Sequence, residues 1–165
     1  MSMTFEEIVS FHGHLCPGVT SGHLLSKYAL ELLDAKYGDN LYCVAEAKNC
    51  MLDGIQCTTG CTAGKGNLAV NNMGKFALTL VKGDTGDGVR IIADTSSVQA
   101  ESKPELAKKL MEIDFKALCK VEKAHVEIPP KNMGNTIVCE ICGEKFSDLF
   151  KTEKDGKTIC PSCAK

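Results

Sequence analysis

Residues 139–163 read CEICGEKFSDLFKTEKDGKTICPSC. Two Cys-x-x-Cys knuckles, Cys139 with Cys142 and Cys160 with Cys163, flank seventeen intervening residues. Thiolates three positions apart bite one ion from a tight turn, and a second pair from a distant turn closes a tetrahedron. Lys154-Asp155-Gly156-Lys157 supplies a hairpin turn between the knuckles. A stretch of about thirty residues cannot bury enough surface to fold unaided, so a metal must supply the missing free energy. Zinc is the expected ion for four thiolates in a closed site. A rubredoxin-like iron site is the alternative, because ligand spacing alone does not tell iron from zinc. A closed site keeps no position for substrate, so its role is structural or that of a docking surface. This places a small four-cysteine domain at 136–165. The Pro- and Gly-containing stretch 129–135 ahead of it reads as a linker, which leaves 1–130 as the core domain.

The 165 residues suffice for one sizeable core plus this satellite, and 44% of them are apolar. Only 5% are aromatic and Trp is absent, so the core must be aliphatic, with Cys and Met filling gaps. The net charge of −2 and the lack of a long basic run argue against nucleic-acid binding through phosphates. Ten cysteines without a secretory leader point to a reducing compartment, the cytoplasm, and to metal or redox chemistry instead of a disulfide framework. Residues 1–11 are too polar for the apolar part of a leader. No apolar run approaches the ~20 residues that span a bilayer, so no membrane association is expected.

Thr4 and Glu7 form a capping-box pattern, so a short helix starts near Thr4. It leads into Phe11-His12-Gly13-His14-Leu15-Cys16-Pro17-Gly18. Leu24, Leu25, Tyr28, Ala29, Leu32 and Leu33 recur at helical spacing and predict a helix to about residue 37, ended by Gly38-Asp39-Asn40. Strands are expected over 41–47, 68–70, 76–81 and 89–93, with one more at 125–128. Pro104 opens a helix that buries Leu106, Leu110, Ile113 and Leu118. The expected fold class is α+β: an antiparallel sheet packed with helices, plus the small four-cysteine zinc-finger domain.

His12, His14 and Cys16 alternate at two-residue spacing, so on an extended segment all three face one side. Pro17 biases Cys16 toward an extended backbone and suits the first position of the following helix. Cys16 therefore sits beside a helix N-terminus, where dipole and free amides favour a thiolate. Two imidazoles and one thiolate make a three-ligand site with room for water or substrate. A single such His would be an ordinary core or surface residue; three ligand residues within five positions favour function. His23 is open between a supporting role and the surface, and His125 reads as structural or exposed. Farther on, Cys50, Asp53, Cys57 and Cys61 fall on one helical stripe over 49–60 and can deliver ligands to the same pocket. Gly60 to Asn67 is no Walker loop, because Gly66 follows Lys65 where Ser or Thr is required. It can still present amides and one ammonium to an anion.

Phe11 to Gly18 resembles the opening motif of the FmdE family, named for the E subunit of formylmethanofuran dehydrogenase. Cys50-Met51-Leu52-Asp53-Gly54-Ile55-Gln56 and Thr59-Gly60-Cys61-Thr62-Ala63-Gly64-Lys65-Gly66-Asn67 resemble its second motif block. Gly74-Lys75 and Val89-Arg90 are similar to weaker family positions, and the four-cysteine tail resembles a zinc-finger module that many members append. The resemblance implies an α+β core domain, a C-terminal zinc finger of treble-clef or ribbon-like form, and a homodimer. It implies that His14, Cys16 and Cys61 share a pocket, with His12, Cys50, Asp53, Gln56 and Lys65 around it. Cys57 departs from the motif. The candidates are therefore His14 and Cys16 for catalysis, Asp53, Gln56 and Lys65 for cofactor binding, and His12, His14, Cys16 and Cys61 for a second metal. The family name implies a place in molybdenum- or tungsten-dependent one-carbon metabolism of the methanogenic type. No ferredoxin-type cysteine run is present, and nothing resembles a catalytic pterin-binding chain. The expectation is an accessory partner of formylmethanofuran dehydrogenase subunits. The alternatives are a stand-alone thiol- or metal-dependent enzyme and a metal carrier or adaptor.

Overall fold

The computed structural model describes residues 3–130 and 134–165. The chain divides into two compact units, Met1–Ile128 and Pro129–Lys165. The linker expected at 129–135 begins at this boundary, and its residues 131–133 lie outside the described residues.

In the first unit, helix α1 (Phe5–His12) starts at the capping box: Glu7 N–H donates to Thr4 Oγ1 at 3.2 Å, and Thr4 N–H donates to the Glu7 carboxylate at 2.7 Å. Gly13 ends it at φ 92°, a left-handed conformation that glycine adopts without a Cβ penalty. Helix α2 (Pro17–Leu32) begins after a short turn, with Cys16 as its N-cap. It stops short of the expected residue 37: Asp34 turns left-handed at φ 48°, and Ala35 N–H closes on Leu30 O. Strand β1 (Leu41–Ala45), helix α3 (Met51–Thr59) and strand β2 (Leu68–Val70) follow. Then come β3 (Ala77–Lys82), β4 (Asp87–Ala93), helix α4 (Lys103–Glu112) and β5 (Cys119–His125).

The sheet runs β2-β1-β3-β4-β5. Three of its pairings are antiparallel, as expected, but β1 and β2 are parallel, with α3 as the crossover between them. The last strand lies at Cys119–His125 instead of 125–128. Its run of Lys120, Glu122 and Lys123 hides a strand from an apolar-alternation reading, and charges suit an edge that must not template another chain. Cys43, Leu78, Leu80 and Ile91 from the sheet meet Leu25, Ala29, Met51 and Ile55 from the helices to form the main core. Elsewhere on the sheet Arg90 reaches two acidic partners: its Nη2 donates to Glu46 at 2.8 Å, and its Nη1 lies 3.5 Å from Glu122. That pairing holds the Glu46 carboxyl below its usual range.

Helices α2 and α3 touch backbone to backbone. A Cβ on Gly22 would fall 2.9 Å from the Met51 carbonyl carbon, and one on Gly54 would fall 2.7 Å from His23 N. Real Cβ atoms do not approach that closely, so both positions must be glycine for this crossing. Beside it, His23 is buried, its Nδ1 2.8 Å from Thr58 Oγ1 and its ring 5.2 Å from that of Phe5. A second, smaller core of Ile8, Cys16, Val19 and Cys57 lies among α1, α2 and α3.

The second unit holds two hairpins, β6 (Thr136–Val138) with β7 (Lys145–Ser147), and β8 (Thr152–Lys154) with β9 (Lys157–Ile159). Asp155 (φ 51°) and Gly156 (φ 73°) make the expected tight turn. Its buried residues are Cys139, Ile159 and Cys160, with Phe146, Cys163 and Ala164 packed against them. A core that small leaves the fold dependent on its cysteine cluster.

Gly22→Ala should lower the stability of the first unit by about 1–3 kcal/mol in urea denaturation. Gly64→Ala, with no atom within 4 Å of the added carbon, should change it by less than about 0.5 kcal/mol. Equal effects would show that the close approach does not limit the crossing. A second outcome concerns pH. Burial pushes His23 down from its ordinary 6.5 to about 4, with Lys27 adding to the effect. The unfolded chain thus binds this proton first, so the residue's contribution is complete above about pH 6.5 and falls as the pH drops towards about 4. His23→Gln should flatten the stability profile across that interval, and unchanged slopes would refute the assignment.

Candidate metal centres

Three helix ends meet at one point. His12 closes α1, Cys16 caps α2, Cys50 caps α3, and His14 stands in the turn after Gly13. The ligand atoms of His12, His14, Cys16 and Cys50 all lie within 4.8 Å of one another. A tetrahedral shell with bonds of about 2.0–2.3 Å puts neighbouring donors roughly 3.3–3.8 Å apart, and Cys16 Sγ lies 3.7 Å from His12 Nε2. The expected grouping of His12, His14 and Cys16 is present, but by another route. The segment is a helix end, a left-handed glycine and a helix start, not an extended strand.

His12 Nδ1 lies 2.7 Å from an Asp53 carboxylate oxygen. A carboxylate only accepts, so in the neutral ring the proton sits on Nδ1 and the Nε2 lone pair is left toward Cys16. Asp53 in turn accepts from Gln56 Nε2 at 3.4 Å, and Gln56 Oε1 accepts from Ala63 N–H at 3.5 Å. His14 is exposed and has no hydrogen-bond partner among the described residues; its ring lies 4.5 Å from that of His12. Burial pushes the Cys50 thiol up, and the neighbouring Cys16 pushes it further. Two crowded sulfurs of this kind are the environment that a cation relieves. Gly18 makes the crowding possible, since a Cβ there would fall 2.8 Å from Cys50 Cβ.

Cys50, which the stripe and the family resemblance both assign to this pocket, stands in the group, and Cys61, assigned there as well, lies apart from it. The helix ends at Thr59, so Cys61 lies past the Gly60 cap and off the stripe. Its thiol is buried in the main core, 3.6 Å from Leu41 O, and burial raises its pKa. Cys57 stays on the helix and packs in the small core with Cys16 and Val19. Of the other pocket candidates, Asp53 and Gln56 reach His12 as described, whereas Lys65 is exposed in the loop after Gly60. That loop consumes its own amides: Thr62 N–H donates to Asn67, Ala63 N–H to Gln56, Lys65 N–H to Thr62 and Gly66 N–H to Ala63. His125 pairs with Asp87 at 2.8 Å on the surface. Gly18, the second residue of α2, has no Cβ and so leaves room for Cys50 at the start of α3.

In the second unit the ligand atoms of Cys139, Cys142, Cys160 and Cys163 form a second group within 4.8 Å. Cys142 Sγ and Cys160 Sγ are 3.8 Å apart, the edge of a tetrahedron with metal–sulfur bonds of about 2.3 Å. The first knuckle closes when Gly143 N–H donates to Cys139 O at 2.9 Å. Backbone N–H groups of Cys142 and Cys160 pull the Cys139 thiol down to about 6. Burial, with the surrounding thiols, pushes Cys163 up to about 12.

Comparison with known proteins agrees with the motifs. A probable S-adenosyl-L-methionine-binding protein of Archaeoglobus fulgidus is 38% identical over 95 residues, which is 54% of this chain and 26% of that protein. The chain thus matches about a quarter of that relative's length. The crystal structure of a tungsten formylmethanofuran dehydrogenase FmdE-like protein from Syntrophus aciditrophicus superposes with a TM-score of 0.72 at 25% identity. That match covers 99% of this chain and 93% of the other. The family model described as FmdE, molybdenum formylmethanofuran dehydrogenase operon, matches residues 11–151. The chain belongs to the FmdE family.

Proposed function

We propose that the chain is a metal-binding accessory protein of molybdenum- or tungsten-dependent one-carbon metabolism, working as a homodimer in the cytoplasm alongside formylmethanofuran dehydrogenase subunits. Its core holds one transition-metal ion between His12, His14, Cys16 and Cys50, and its tail holds a structural zinc. The observation that carries the metal reading is the Asp53–His12 contact. A carboxylate behind an imidazole that faces two thiols is the arrangement that fixes tautomer and ring orientation in metal sites. The two families of donors, nitrogen and sulfur, suit zinc and related ions. All ten cysteines are free thiols, which supports a reducing setting.

Within this site the residues divide the work. Asp53 holds His12 in place, Cys16 and Cys50 would supply negative charge to a bound ion, and exposed His14 would be its least constrained donor. A bound ion would supply Lewis acidity and lower the pKa of what it binds. A cavity lined in part by His14, Cys16 and Cys50 favours a second reading, a stand-alone enzyme with Cys16 and His14 as its reactive groups. The name of the archaeal relative adds S-adenosyl-L-methionine as a ligand to try. Turnover by the isolated chain distinguishes this reading from the accessory one, which instead expects co-purification with the dehydrogenase.

Anaerobic purification and elemental analysis should find two metal equivalents per chain. Cys50→Ser should remove one, and Asp53→Asn should weaken core binding by about 10- to 100-fold in a chelator competition. Full core occupancy in Cys50→Ser would overturn the ligand set. Cys142→Ser should remove the other equivalent and unfold only the second unit, read as loss of its amide NMR dispersion. Unchanged metal content there would refute the closed tail site.

A further inference from the structure

We propose that the cavity beside the His12–His14–Cys16–Cys50 cluster binds a small organic monocarboxylate, its apolar body against Pro17, Phe76 and Leu106 and its carboxylate on Lys103. The cavity measures about 370 Å³, within the roughly 300–1,000 Å³ range of small-molecule sites. Its lining is mainly apolar, and Phe76 keeps 37% of its surface exposed, a large ring that the fold has not buried for its own stability. Ligand walls of this make-up bind by excluding water and use a few polar groups to orient.

Charge decides the class of ligand. Lys103, the first residue of α4, is exposed and has no ion-pair or hydrogen-bond partner among the described residues. A divalent ion with two thiolates and two neutral imidazoles carries no net formal charge. The other lining residues are uncharged, and Asp53 does not line the cavity. Lys103 is then the charged side chain on the cavity wall, and its one ammonium selects one anionic group. Asn49 adds a donor: its side-chain oxygen accepts from Met51 N–H at 2.9 Å, which leaves its NH₂ for the ligand. An ammonium and an amide NH₂ both donate and neither accepts, so a carboxylate is matched on both oxygens, whereas a neutral amide lacks the charge and leaves its own NH₂ without an acceptor. The proposal rests on the metal reading only for the neutrality of the cluster wall.

The test is a titration of the full chain with hexanoate and with hexanamide, which have the same apolar body and differ in charge. Binding is read from the methyl ¹³C shifts of Leu106, before and after metal removal, with metal content measured on each sample. Hexanoate should bind at least about tenfold more tightly than hexanamide. Lys103→Met should bring the ratio close to one, and Phe76→Ala should weaken both. Equal affinities in the unaltered chain, a ratio insensitive to Lys103→Met, or unmoved Leu106 methyls would overturn the proposal. Core metal with no hexanoate binding sinks this inference and spares the metal reading. Selective hexanoate binding by a chain that takes up no core metal sustains this inference and sinks the metal reading.

Discussion

The arrangement depends on one steric constraint, the crossing of α2 and α3 at Gly22 and Gly54. Main-chain atoms occupy the space that side chains hold at ordinary helix contacts, where axes lie about 8–10 Å apart. The crossing fixes how close the N-terminal ends of the two helices come, and those ends carry Cys16 and Cys50. Gly18 extends the same small-residue row by one helical turn and makes room for Cys50. A packing requirement inside the fold is thereby converted into a distance between two sulfurs. The polar pair His23–Thr58 lies along the same seam, so the crossing is specified by both shape and hydrogen bonding.

Much of this was legible where a local rule governs the chain. Thr4 with Glu7, Pro17 after Cys16, and Asp155-Gly156 each act within four residues, and each does in the structure what its chemistry dictates. The paired knuckles of the tail come together as spacing required. What was not legible depends on distant partners. Helix α2 ends after Leu32 with no glycine or proline at its terminus, because the chain must turn to enter β1. The β5 strand carries too many charges to show apolar alternation, since it is an edge. Cys50 and Cys61 are the instructive pair. Helical spacing put both on one stripe, but a left-handed Gly60 carries Cys61 away into the main core. Spacing predicts a face only while the helix lasts.

The two cysteine-rich groups differ in what surrounds them. In the tail, four sulfurs face one another and backbone amides, with nothing but a minimal apolar core behind. In the first unit, one imidazole is held by a carboxylate and the other stands at the mouth of a cavity. A site with every donor anchored resists exchange, whereas a site with one loose donor and adjoining space admits a newcomer. The tail group is all sulfur, whereas the group in the first unit mixes two imidazoles with two sulfurs and leaves one imidazole exposed.

The capping of α1 by Gly13 has a consequence for motion. This two-turn helix is too short to persist alone, and Ile8 is the buried residue that fastens it to the rest. Its last residue is His12, so an ion shared among His12, Cys16 and Cys50 would staple the helix to the ends of its two neighbours. Emptying that position would leave α1 free to fray and re-form on the timescale of local opening. The exchange of its backbone amides with solvent deuterium would then act as a gauge of occupancy, read along a helix in which only the last residue would coordinate.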